Sequence, residues 1–392
     1  MPIAERMIRR VADFAVIKNM FEEGRRLKER FGAGNVYDFS LGNPDVPPPA
    51  EFREALRELV RSDTLAFGYA PVAGHPPLRQ ALAQRLTAEH GVPVPPEMVV
   101  ITVGAAGALN DVLRALVNPG EEILTPAPYF LGYDNYAFLV DAELKTAPTD
   151  PRFHLDLAAI DRAITPQTRV VLINSPNNPS GAVYAAAEVI GLGRLLEAAS
   201  ARLGRRIYLI SDEPYRRIVF DAVVPPVMAA YPHTVVVNSF SKELSLAGER
   251  IGYFAVHPQA EDADTIRDAA AAVNSMLVVN APGLLQQAAA RVLGAAVDVS
   301  VYRRRRDMIG AILAEAGYDF TPPEGAFYLF PKSPIADDAR FTELLKEERI
   351  LVSPGRAFGV PGYFRISFAV PDAVILAARD GFIRARRRAA GA

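Results

Sequence analysis

The chain has 392 residues, half of them hydrophobic and 22% charged, with a formal net charge of -2, the profile of a soluble globular protein with no electrostatic case for binding nucleic acid. It has no cysteine, which excludes disulfides, thiolate metal sites and a cysteine nucleophile and suits a reducing cytoplasm. Its five histidines, His75, His90, His154, His233 and His257, are scattered and give no metal-ligand spacing.

The first residues, "MPIAERMIRRVADF", are charged and amphipathic, without the apolar core of a signal peptide. No segment reaches the ~20 apolar residues that span a bilayer. The expected location is the cytoplasm. A length of 392 residues favours a large domain with a smaller one beside it. The stretch "LGNPDVPPP" is a stiff connector, and residues 1–43 are expected to pack with the small domain. Then short apolar runs alternate with helical patterns: "MVVITVG", "EEILTP", "RVVLIN", "IYLISDEP", "TVVVNSF" and "IGYFAV". Such runs predict strands buried on both faces of a mostly parallel sheet, so residues 44–290 are read as a large α/β domain. Beyond about residue 290, long helices and the spaced strands "AFYLF" and "YFRISFA" predict a small α+β domain over 291–392. The arginine clusters at 303–306 and 384–388 sit in helical patterns and read as solvated faces.

Ligands of open α/β sheets lie beyond the carboxyl ends of the strands, and polar residues collect there. Gly104-Ala105-Ala106-Gly107 stands at a helix start, where free N–H groups can hold a phosphate. By itself it is equally a tight turn. "SPNNPSG" follows "RVVLIN" and reads either as a site loop or as a surface turn. Asp212, after "IYLIS", is a buried strand-end carboxylate or a helix cap. Lys242, in "SFSKELSLAGERIGY", is a surface charge or an amine nucleophile at an apolar pocket.

Taken together, Tyr69, Gly104 to Gly107, Tyr129, Asn178, Asp212, Tyr215, Ser239-x-Ser241-Lys242, Arg250 and Arg365 resemble the class I/II aminotransferases of fold-type I, over nearly the whole chain. The fold this implies is a mostly parallel seven-stranded sheet sandwiched by helices, plus a smaller α+β domain built from both termini. The resemblance implies pyridoxal 5'-phosphate held as a Schiff base on Lys242, which then shuttles the substrate proton. Asp212 would pair with the ring nitrogen, and Asn178 and Tyr215 would bond the 3′ oxygen. Tyr129 would stack on the ring. The phosphate would be held by Ala105, Ala106, Ser239, Ser241 and Arg250, with Tyr69 reaching in from the partner of a homodimer. Arg365 and Gly42, with Asn178, would hold the substrate α-carboxylate. The implied reaction moves an amino group between an L-amino acid and a 2-oxo acid by a ping-pong mechanism, with no metal. A C–S lyase or decarboxylase on the same fold is the alternative, and a non-catalytic sensor a more distant one. Two departures stand out: Ala106 replaces a polar residue common in relatives, which speaks against acidic substrates, and Glu249 precedes the phosphate arginine.

Overall fold

The computed structural model describes residues 3–63 and 67–391. A seven-stranded sheet organises the middle of the chain. Its strands are β1 (Val99–Thr102), β2 (Glu122–Ala127), β3 (Glu143–Pro148), β4 (Thr168–Asn174), β5 (Tyr208–Asp212), β6 (Thr234–Ser239) and β7 (Gly252–Val256). The spatial order is β1-β7-β6-β5-β4-β2-β3, with only β7 antiparallel to its neighbours. Each of the six apolar runs forms a strand, because β-branched residues buried on both faces can only sit inside a covered sheet. Alternation distributes them: Val170 and Leu172 enter the core on one side, Val171 and Ile173 the core on the other. The seventh strand, β3, was not predicted. It lies at the sheet edge with most of its residues wholly or partly exposed, so its sequence carries no apolar run.

Helices cover both faces, among them Pro76–His90, Gly104–Leu116, Ala186–Leu203 and Ala263–Val278. A separate apolar core gathers Tyr302, Phe327, Phe341, Phe364 and Phe382 with Phe39 from the N-terminal segment. Backbone pairing also joins that segment to the C-terminal part: Tyr37–Asp38 runs parallel to Ile350–Leu351, and Ser367 N–H donates to Phe39 O at 2.8 Å. The strand "YFRISFA" is observed as Phe364–Ser367. Among the described residues, no helix is long and apolar enough to cross a membrane. The carboxyl ends of β4, β5 and β6 deliver Asn174, Asp212 and Ser239 to one cavity.

Candidate active site

The cavity holds about 940 Å³ and is lined by Gly42, Ala105, Ala106, Asn178, Asp212, Tyr215, Ser239, Ser241, Lys242, Arg250 and Arg365, among others. Residues up to 323 apart in sequence therefore meet in one place. Lys242 sits in the single helical turn Phe240–Glu243 that follows β6, where Ser239 caps the turn by accepting from Ser241 N–H. Its amine donates to Gly42 O at 2.7 Å. Burial, with Arg365 and Arg250 adding like charge, lowers the amine from its ordinary 10.5 to about 8. An amine so placed is partly neutral near physiological pH and is a nucleophile.

Asp212 is fully enclosed, and burial raises its carboxyl to about 7 despite the opposing hydrogen bond from Tyr133. Tyr133 Oη donates to Asp212 Oδ2 at 2.7 Å. The other oxygen, Oδ1, is buried with no hydrogen-bond partner among the described residues. Such an orphan acceptor is costly unless a ligand donor completes it.

Arg365, 5% exposed, lies between the rings of Tyr328 and Phe358, at 4.8 and 4.7 Å from their centroids. It donates to Asn178 Oδ1 at 3.1 Å and to Ser40 O at 2.6 Å, while its Nε has no partner among the described residues. Tyr215 and Tyr328 share a hydroxyl contact of 2.8 Å. Gly42 is glycine for space, since a Cβ there would lie 1.8 Å from Tyr328 Oη.

The helix Gly104–Leu116 points its start at the same cavity. Gly104 has φ +77°, and a Cβ on it would meet Arg250 Nη2 at 2.9 Å. Free N–H groups and a guanidinium thus converge as an anion cradle. A phosphate-bearing aldehyde such as pyridoxal phosphate fits this donor set: the cradle takes the phosphate, the buried amine the aldehyde, and the orphan Asp212 Oδ1 a ring N–H.

Two expected residues lie elsewhere. Tyr129 does not line the cavity: its hydroxyl donates to Asp134 at 3.0 Å and its ring packs against Gly359. The neighbouring Phe130 faces the cavity instead. Tyr69 is 87% exposed and lies outside the cavity of its own chain. Glu249 is likewise exposed, in the short turn Ala247–Glu249. Sequence reading missed the role of Tyr133. The spacing Phe130-x-x-Tyr133 after β2 held the signal, placing two aromatic residues beside the neighbouring strand ends.

The model of the family "Aminotransferase class I and II" matches residues 34–381. The aspartate/prephenate aminotransferase of Thermus thermophilus is 35% identical over 364 residues, 89% of this chain and 91% of its own. An amino transferase structure from Eubacterium rectale superposes with a TM-score of 0.95 at 37% identity, covering 99% of both chains. The structure of the Thermus thermophilus aspartate aminotransferase with maleate gives 0.84 at 30% identity, covering 94% of this chain and 95% of that one.

Proposed function

The chain belongs to the class I and II aminotransferase family, and from that premise we propose a working role for each residue of its cavity. The enzyme is a pyridoxal-phosphate-dependent aminotransferase that exchanges an amino group between an amino acid and a 2-oxo acid. The cofactor, when bound, supplies an aldehyde that captures amines and a ring that takes up the electron pair of a bond broken at Cα.

The chain's own residues do the rest. Lys242 Nζ would hold the aldehyde and, when free, would take and return the Cα proton. The acceptor Gly42 O keeps that amine beside the cavity. Asp212, steered by Tyr133, presents Oδ1 to the ring nitrogen. Asn178 and Tyr215 would bond the ring oxygen, Phe130 would pack against the ring, and the cradle of Ala105, Ala106, Ser239, Ser241 and Arg250 would hold the phosphate. Arg365, packed against the Tyr328 and Phe358 rings, would offer its fork to the substrate α-carboxylate. The observation that carries this reading is the meeting of a buried amine at about 8 with a buried carboxylate whose Oδ1 has no partner among the described residues.

We infer further that neutral and aromatic side chains are preferred. Leu41, Ala106, Phe130 and Leu131 give the cavity an apolar wall, and Arg356 on its rim is engaged by Asp337 and Asp338. The Thermus relative is named for aspartate and prephenate, so a panel of amino acids decides the matter. Bleaching of the cofactor band by leucine, phenylalanine and tyrosine is expected, and reaction with dicarboxylates alone would overturn it. We also place the enzyme in the cytoplasm as a homodimer, in which Tyr69 reaches the partner's phosphate. The exposed apolar group Phe67, Tyr69, Met276 and Leu277 supports that assembly.

A further inference from the structure

Behind the cavity lies a buried chain of charges that the reaction does not touch. Glu243, the residue after Lys242, takes a two-pronged ion pair from Arg85, with Nη1 to Oε1 at 2.9 Å. Arg85 Nε donates to Glu89 Oε1 at 3.0 Å. The other oxygen of Glu89 has no hydrogen-bond partner among the described residues and faces Arg216 Nε as an ion pair at 3.5 Å, while Arg216 hydrogen-bonds the Glu89 backbone carbonyl at 2.9 Å. Arg216 Nη1 in turn donates to Glu213 Oε2 at 3.0 Å. Glu213 is the residue after Asp212. Its remaining contacts are Ser211 Oγ at 2.7 Å and His90 Nε2 at 3.5 Å.

The signs alternate along the chain: carboxylate, guanidinium, carboxylate, guanidinium, carboxylate. Four of the five side chains are at most 9% exposed, and Glu89 is 21% exposed. Desolvating so many charges costs several kcal/mol per ion before pairing, and a well-packed apolar cluster is often as stable. Stability is therefore a weak reason for the arrangement. Geometry is a better one. The sheet braces Asp212 through its pairing with Val237, whereas Lys242 stands on a single turn beyond the end of β6. The helix Pro76–His90, which carries Arg85, Glu89 and His90, is long enough to serve as a rigid strut.

We propose that Arg85, Glu89 and Arg216 are positioning residues that tie the turn of Lys242 to the strand end of Asp212, through Glu243 and Glu213, and so fix the spacing of the amine and the carboxylate. This rests on the roles given above to Lys242 and Asp212.

The test is Glu89→Gln, a substitution at the centre of the chain that touches neither reacting group. In the cofactor-free protein, the pH profile of labelling of Lys242 by an amine-reactive reagent is read by mass spectrometry, and its midpoint in the unaltered chain is expected near 8. The charged neighbours of that amine are Arg365 and Arg250, with Asp212 in the same cavity. Releasing the turn lets the amine reach water, and the midpoint moves up by about 0.5 or more. Mere deletion of a negative charge would move it down. In the holoenzyme kcat falls about tenfold while KM changes less than twofold. Arg85→Lys, which keeps the charge and loses the fork, is the second variant, and the same upward shift is expected. A midpoint unchanged or lowered in both variants overturns the proposal. The reading of Lys242 itself fails separately, if Lys242→Ala still binds the cofactor covalently.

Discussion

At the scale of single residues, two side chains carry costs that the site turns to use. Asp212 has its carboxyl raised from 3.8 to about 7, chiefly by burial. A raised folded-state value means that its contribution is complete below about 3.8 and is lost as pH climbs through about 7, where the ionised form must be buried. Asp212→Asn is neutral throughout. In thermal melts of the cofactor-free protein it is therefore expected to raise the midpoint at pH 8 and to raise it by less at pH 5. With cofactor, the same variant loses amino transfer by about a hundredfold or more. A shift of equal size at both pH values would show that Asp212 is not the strained group. Arg365→Lys keeps a positive charge but loses the fork, at about 2 kcal/mol, a roughly 30-fold fall in kcat/KM. Steady-state kinetics check it, and the loss should appear mostly in KM, since the carboxylate is held throughout the reaction.

At the scale of elements, most of the sheet could be read from the sequence because doubly buried strands must be apolar. Six runs announced six strands. The edge strand β3 was silent because most of its side chains, on both rows, meet solvent at least in part. The site was legible where strand ends carry distinctive polar residues, as at Asp212 and Lys242. It was not legible where only orientation decides: Tyr129 and Phe130 are adjacent aromatic residues, and the local turn alone determines which faces the cavity. The charge chain through Arg85 and Glu89 was hidden too, because a helix with solvated charges and one with buried ion pairs look alike in sequence. The separate core that joins Phe39 to Phe341, Phe364 and Phe382 leads us to propose that residues 44–290 form one domain and that both termini build the other. Gly42 lies where the N-terminal segment crosses the site. Gly42→Ala puts a Cβ against the Tyr328 hydroxyl, which stands beside Arg365. It is expected to raise KM about tenfold or more, and Tyr328→Phe in the same chain should restore part of it. Kinetics of the double variant give the answer, and no restoration would place the clash elsewhere.

At the scale of the whole molecule, the proposal is a homodimer in which the exposed Tyr69 of one chain reaches the phosphate cradle of the other. Hybrid dimers test this assembly. Lys242→Ala and Tyr69→Ala subunits, refolded together, form hybrids with one site carrying both defects and one carrying neither. Activity above that of either parent is expected, and no gain would refute a shared site. The central claim is that Lys242 and its cavity run amino transfer. It is tested most directly by loading the enzyme with pyridoxal phosphate, adding one ¹⁵N-labelled amino acid, then one unrelated 2-oxo acid. The account predicts that the label arrives in the new amino acid, one equivalent per site without turnover, and that Lys242→Ala delivers none. Labelled ammonia released before any 2-oxo acid is added, or transfer that survives Lys242→Ala, would contradict it.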